Sequence, residues 1–202
     1  MEAWPDGRDA ATESTRLMAA ESDIRPLTVT VQPMRRRHVR SVLRIEQQVY
    51  PRPWSSSLFL SELALRSTRA YFVARVGREL VGYAGLMMTL DEAHVTTIAV
   101  DPRRHRSKIG TRLMLVLARE AIARGANLLT LEVRMSNAAA KDMYRRFGLG
   151  PVGVRKNYYQ EVNEDALVMS VHDIDQAEYA ALLDSIERTV PGETIIEEMR
   201  RA

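Results

Sequence analysis

The chain has 202 residues, a net charge of +3, a sequence pI near 9.4 and no cysteine. That length suits one well-cored domain with tails rather than two domains, and the missing cysteine excludes a disulfide framework, a cysteine-ligated metal and a thiol nucleophile. No apolar run approaches the length of a membrane span and the start lacks a signal peptide's basic and apolar regions, so the cytoplasm is the expected location. The histidines, His38, His94, His105 and His172, show no ligand spacing, and no metal is expected.

Residues 1–27 are polar, acid-rich and unperiodic, with Pro5, Gly7 and Pro26, and read as a flexible extension outside the core. Thr28–Gln32 alternates as a first strand. Arg35–Val49 has helical spacing, with Val39, Val42, Leu43 and Ile45 facing inward. Arg35, Arg36, Arg37, His38 and Arg40 open that helix and read as a solvated face, so direct nucleic-acid binding is not expected. They crowd the positive end of the helix, which is electrostatically unfavourable. The turn Pro51–Pro53 leads to Trp54, and Ser55 can cap a second helix through about Leu65. Ala70–Val76 and Leu80–Leu90 form a hairpin across Gly77–Arg78, and His94–Val100 is the next strand.

After Asp101–Pro102 comes a basic loop running into a helix with an apolar stripe of Ile109, Leu113, Val116, Leu117 and Ala121, which Gly125 is placed to end. Strand, cationic loop and helix N-terminus make a site for an anion, because unpaired backbone N–H groups and the helix dipole point at the ligand. Arg106 and Lys108 add charge there, and Ser107 and Thr111 offer hydroxyls.

In the strand near residues 129–134, Leu129, Leu131 and Val133 share one face and Thr130, Glu132 and Arg134 the other. Asn137 is suited to cap the following helix, and Tyr144, seven residues on, projects from the same side as Asn137. A carboxylate on a strand end and a phenol on the next helix are candidates for base and acid. The competing reading pairs Glu132 with Arg134 and leaves Tyr144 as packing. Val152–Lys156 and Asp165–His172 are the last strands, Ala177–Ile186 has helical spacing, and Pro191–Gly192 opens a charged tail. The element order predicts an α/β (α+β) domain with a mixed, mostly antiparallel sheet.

From about Val29 to Val171 the chain resembles the GNAT superfamily of acetyl-CoA-dependent N-acetyltransferases, and more closely the RimI group of bacterial ribosomal-protein-alanine N-acetyltransferases. The most specific segments are Ile45–Ser55, Thr96–Pro102, Glu132–Tyr144 and Val154–Met169 with Arg155, Tyr158–Tyr159 and Glu164–Asp165–Ala166. The resemblance implies a GNAT domain over residues 28–172, with residues 173–202 as a C-terminal extension.

It also implies roles. His105, Arg106, Ser107, Lys108, Ile109, Gly110 and Thr111 would hold the pyrophosphate of acetyl-CoA, the cosubstrate. Ile98, Ala99 and Val100 would line the pantetheine arm, and their backbone N–H groups would stabilise the oxyanion. Asn137 would contact the cofactor, Glu132 would act as general base and Tyr144 as general acid. The acceptor would meet Glu46, Tyr50, Trp54, Tyr158 and Tyr159, with Asp91, Glu92, Glu161 and Glu164 attracting a basic N-terminus. A basic enzyme surface would help docking onto a ribosomal particle.

Two positions depart from the family pattern. Lys108 stands where the loop's first glycine is usual, and is read as ordinary helical or bridge backbone, where a lysine is tolerated and adds charge. Leu149 stands where Phe is common and is read as a packing change. The function implied is acetyl transfer to the N-terminal alanine amine of a small-subunit ribosomal protein. The alternatives are a GNAT enzyme for another protein N-terminus, a lysine or a small amine, and a non-catalytic acetyl-CoA-binding protein.

Overall fold

The computed structural model describes residues 26–197; the extension expected at residues 1–27 lies, up to residue 25, outside the described residues. In chain order the elements are β1 (Leu27–Pro33), α1 (Val39–Val49), α2 (Ser56–Ala64), β2 (Arg69–Val76), β3 (Glu79–Thr89), β4 (Glu92–Val100), α3 (Ile109–Ala123), β5 (Leu128–Arg134), α4 (Ala138–Arg146), β6 (Gly150–Tyr159), β7 (Glu164–His172), α5 (Ala177–Arg188) and β8 (Gly192–Ile196). The strands make one sheet in the order β6-β7-β5-β4-β3-β2-β1-β8. Only β4–β5 and β1–β8 are parallel, so the sheet is mixed and mostly antiparallel as expected.

Local chemistry sets the boundaries. Ser55 caps α2 by accepting the Leu58 N–H at 3.1 Å, and Asn137 caps α4 through the Ala140 N–H at 3.1 Å. Gly77 takes a positive φ in the two-residue β2–β3 turn, and Gly125 does so just past the end of α3. The first helix begins later than its periodicity predicts. Arg36–His38 is a 3-10 turn, and the α-helix starts at Val39 because the buried His38 ring accepts the Arg35 N–H at 3.1 Å and tightens the entry.

The sheet carries helices on both faces. Val39, Val42 and Ile45 of α1 and Phe59 of α2 pack on Tyr71, Val73, Tyr83 and Ala99. On the opposite face the stripe of α3, with Tyr144 and Phe147 after β5 and Leu183 and Ile186 of α5, packs on Val29, Phe72, Leu86, Val95 and Leu131. Leu149 is buried in this second core, in keeping with a packing role.

Between Gly85 and Leu86 the β3–β4 register slips, so that Thr96 is the extra residue of a bulge in β4. Such a bulge bends its strand and reverses which face each later side chain addresses. Accordingly Ala93 and Val95 face the α3 side, whereas beyond Thr96 the residue facing the α1 side is Ala99. The β4–β5 pairing ends at the same place, at Val95↔Leu131, although β4 runs on to Val100 and β5 to Arg134. The two strands part there and leave a crevice through the sheet. Tyr71 pins the bulge: its hydroxyl lies 3.2 Å from Thr96 Oγ1 and donates to Glu62 at 2.7 Å.

Within the charged tail expected from Pro191 onward, Gly192–Ile196 is strand β8, which adds parallel to β1 from Leu27↔Gly192 to Val31↔Ile196, and residues 198–202 lie outside the described residues. Arg112, fully buried in the first turn of α3, explains this. Its guanidinium donates to the Pro191 carbonyl and the Thr194 hydroxyl, and reaches the Leu27 carbonyl at 3.5 Å. Sequence periodicity shows nothing of a strand whose anchor is a side chain eighty residues away.

The bulge makes a prediction. A Cβ at Gly85 would collide with the Tyr71 ring and the Thr96 hydroxyl. Gly85→Ala should cost about 1–3 kcal/mol by overpacking and disturb the strand parting, lowering acetyl-CoA affinity as well as the thermal midpoint. Calorimetry of unfolding and of cosubstrate binding checks both, and an unchanged affinity would detach the bulge from the site.

Candidate active site

The crevice begins where β4 loses its partner. Beyond Val95 the β5-facing backbone groups of β4 have no strand neighbour, leaving an unpaired edge along Ile98–Val100. The Tyr50 hydroxyl, reaching over from the end of α1, donates to the Ile98 carbonyl at 3.0 Å and lies 3.4 Å from Thr97 Oγ1.

At the lower end of this edge is the anion loop. Arg106 (φ 62°) and Lys108 (φ 59°) are both left-handed. This corrects the sequence expectation that Lys108 sits on ordinary helical or bridge backbone. The left-handed region costs a residue with a Cβ about 1–2 kcal/mol, so the position is one that favours glycine. Lys108 caps α3 with no side-chain bond, and the N–H groups of Ile109, Gly110 and Thr111 have no acceptor among the described residues. These amides with the alternating loop geometry form an anion cradle. Ile109 and Thr111 are buried, so they serve through their amides, while His105 and Arg106 are exposed. A Cβ on Gly110 would lie 3.4 Å from Met143 Sδ of α4, which brings the cradle against the helix bearing Tyr144.

Glu132 stands on the other lip. Its side chain is 7 % exposed; Oε2 lies 3.0 Å from His94 Nε2 and Oε1 forms an ion pair with Arg155 at 3.1 Å. The His94 bond, opposed by partial burial and reinforced by the His94 and Arg155 charges, holds the carboxyl below its usual range. The expected alternative partner, Arg134, instead lies 5.9 Å over the Tyr159 ring. His94 and Arg155 are thus site residues that sequence spacing could not assign, because their pairing depends on strand register. One signal was available: His94 sits two residues before the bulge, on the same strand as Ile98.

Tyr144 is buried on the α3 side of the sheet, and burial, with the Tyr50 and Tyr159 phenols nearby, raises its pKa. Tyr159 is half-buried and raised for the same first reason; it lies within electrostatic reach of both Tyr50 and Glu132. Glu132 faces the α1 side and Tyr144 the α3 side, so only the parted strands allow one substrate to meet both. Tyr158 is more exposed, packs edge-on against Tyr159 at 5.1 Å and takes Arg155 over its ring at 5.7 Å.

Residues proposed for the acceptor divide into two groups. Trp54 packs against Phe59 at 5.2 Å and contributes to the α1-side core. Glu46, also on α1, is 2 % exposed: Oε1 accepts the Trp54 N–H at 2.9 Å while Oε2 has no partner. Burial pushes this carboxyl up to about 7. Among the more distant acids, Asp91 is engaged by Asn127, and Glu164 by the Ser136 N–H.

Residues 39–149 match the Acetyltransferase (GNAT) family. The chain belongs to the GNAT family of acetyltransferases. It is 36% identical over 129 residues to the [ribosomal protein bS18]-alanine N-acetyltransferase of Escherichia coli K12, covering 63% of this chain and 86% of that one. It is 37% identical over 147 residues to the N-alpha-acetyltransferase RimI of Mycobacterium tuberculosis, covering 70% and 90%. The crystal structure of the Escherichia coli ribosomal-protein-S18-alanine N-acetyltransferase superposes with a TM-score of 0.66 at 32% identity, covering 72% of this chain and 94% of that one. Ard1 from Thermoplasma volcanium has the same fold, with a TM-score of 0.67 at 24% identity over 72% of this chain and 98% of that one. GNAT enzymes use acetyl-CoA, and the orphan amides of the cradle, the free amide nitrogen of the capping Asn137 and the unpaired edge of β4 fit its diphosphate and its arm.

Two predictions test these environments. Lys108→Gly removes about 1–2 kcal/mol of left-handed cost but restores about 0.5–1 kcal/mol of chain entropy to the unfolded state. A net gain of up to about 1.5 kcal/mol should appear in the thermal midpoint, and any loss of acetyl-CoA affinity then measures the ammonium's own contribution. For Glu46 the carboxyl's folded pKa lies above its unfolded value of 4.5, so ionisation destabilises the fold progressively between pH 4.5 and about 7. Glu46→Gln should therefore leave stability nearly unchanged below pH 4.5, raise it increasingly toward pH 7 and hold a constant gain above. Unfolding midpoints from pH 4 to 8 follow this, and a pH-independent difference would refute it.

Proposed function

We propose that this protein acetylates the N-terminal alanine amine of a small-subunit ribosomal protein in the cytoplasm, by direct transfer from acetyl-CoA. The observation that carries the reading is the Glu132 carboxylate, fixed between His94 and Arg155 on the lip of the crevice with Tyr144 on the far side of the sheet. The printed names of the relatives supply the acceptor class.

An α-amino group has a pKa of about 7.7–8.0 against about 10.4 for lysine, so part of it is already neutral near pH 7 and the remaining proton is weakly held. Glu132, ionised throughout the working range, accepts that proton through an intervening water, and His94 holds the carboxylate in place and in charge. The free amine forms a bond to the thioester carbonyl carbon, which acetyl-CoA supplies as the activated acyl group, and the carbon–sulfur bond breaks. The nitrogen sheds its second proton as the carbon–nitrogen bond forms, and that proton makes good the one Tyr144 donates to the departing sulfur, so the phenol ends the cycle protonated, as its raised pKa requires. Backbone N–H groups on the free edge of β4 face the carbonyl oxygen as charge develops there.

One feature favours a chain terminus over a lysine within a chain. Arg52 of the α1–α2 loop pairs with Glu161 of the β6–β7 turn at 3.1 Å, bridging the two segments that carry Tyr50 and Tyr159. A groove bridged in this way suits the end of a peptide better than its middle.

The decisive experiment is mass spectrometry of ribosomal proteins from cells with and without this gene; if no N-terminal acetyl group disappears, the acceptor assignment fails. The mechanism has its own test. Glu132→Gln should lower kcat by about 10²-fold or more and leave acetyl-CoA affinity nearly constant, and Tyr144→Phe should lower kcat with the peptide KM unchanged. His94→Ala removes the main cause of the depressed Glu132 pKa. Its carboxylate is then protonated at higher pH, so the acidic limb of kcat/KM should move upward. A limb that stays in place would separate Glu132 from proton transfer.

A further inference from the structure

The outer face of α1 and of the turn before it carries charge with no internal use. Arg36, Arg37, Arg40 and Arg44 are exposed, while Val39, Val42, Ile45 and Glu46 turn inward. Arg36, Arg40 and Arg44 recur every four residues, so they form one stripe with about 6 Å of rise between neighbours. Among the described residues no carboxylate pairs with any of them; Arg44 is bonded only to Ser41 Oγ, at 3.1 Å. Several other helical arginines are paired, Arg119 with Asp184 and Glu187, Arg124 with Glu120 and Arg145 with Asp142, though Arg146 and Arg188 have no carboxylate partner among the described residues.

These charges also oppose the helix they stand on. The first turn of α1 holds no acid, and Arg36, Arg37 and Arg40 crowd its positive end, where an acid would be favoured. Folding therefore offers no reason for the arrangement, and an external anion does.

We propose that this stripe docks the enzyme on the phosphate backbone of RNA. The exposed neighbours are Gln47 and Gln48, with Ser41 half-buried, so there is no apolar centre of the kind a protein interface needs. The apolar face of α1 is already buried against the sheet, so the helix has none left to insert into a bilayer. What remains is a row of guanidinium forks at a repeat comparable with that of successive phosphates, the arrangement suited to a nucleic-acid backbone. The helix ends at Tyr50, in the crevice, so RNA bound along it would bring the mouth of the active site beside the particle that carries the RNA. The choice of RNA rests on the ribosomal acceptor proposed above, whereas binding of the stripe to a nucleic-acid backbone does not, and hairpin binding without loss of a ribosomal acetyl group would separate the two.

The test measures fluorescence anisotropy of a labelled RNA hairpin of arbitrary sequence with the full chain at rising salt. Four phosphate contacts should give a slope of log affinity against log salt of about −3. Arg36→Gln, Arg40→Gln and Arg44→Gln combined should weaken binding at least tenfold at low salt and bring the slope to about −1, with acetylation of a short peptide unchanged and the thermal midpoint equal or higher. Each single substitution should reduce the slope by about one. Affinity and slope unaltered in the triple variant would overturn the proposal. So would tighter binding to polyglutamate or to anionic vesicles than to the hairpin, since either would assign the stripe to a different partner.

Discussion

The arrangement depends on the parting of β4 and β5. A continuous sheet separates the groups on its two faces by its own thickness, and Glu132 lies on the α1 face while Tyr144 belongs to the α3 face. The bulge at Thr96 ends the β4–β5 ladder after Val95↔Leu131 and turns the rest of β4 away. The same event exposes a strand edge, and an exposed edge is a row of donors and acceptors available to an extended ligand. Tyr71, Glu62 and Thr96 hold the bulge by hydrogen bonds, and Gly85 leaves room for the Tyr71 ring, so the opening is a packed feature of the fold.

Two carboxylates on the α1 side of the sheet differ in their surroundings. Glu132 has a cation or imidazole beside each oxygen and is held ionised; Glu46 has one backbone donor, no counter-charge and a raised pKa. The first is a fixed charge on the lip of the crevice, while the second is enclosed among the buried residues of α1, where burial disfavours its charge.

Local signals in the sequence were reliable where the cause was local. The caps at Ser55 and Asn137, the turn at Gly77, the period-two face of β5 and the stripe of α3 all depend on neighbours in the chain, and each falls where the pattern puts it. The positions that misled depend on distant partners. Residues 192–196 read as a charged tail because the guanidinium that holds them belongs to Arg112. Glu132 could be assigned to Arg134 by proximity in sequence, yet its partners come from β4 and β6. Lys108 read as ordinary backbone because a lysine gives no warning of a positive φ, which only the tight entry into α3 requires.

That entry connects the C-terminal segment to the cosubstrate cradle. Arg112 is in the first turn of α3, two residues beyond Gly110, and its charge is satisfied only by carbonyl and hydroxyl oxygens of Leu27, Pro191 and Thr194. A buried guanidinium stripped of its acceptors is far more costly than an exposed one, so the first turn of α3 and strand β8 constrain each other. Further along the same helix, Arg119 binds Asp184 and Glu187 of α5, a second tie to the same segment. The amides that form the anion cradle are therefore oriented by residues beyond 149, where the match to the acetyltransferase family ends. In this chain the strain at Lys108 is borne by a helix fixed at its first turn from outside the family's shared core.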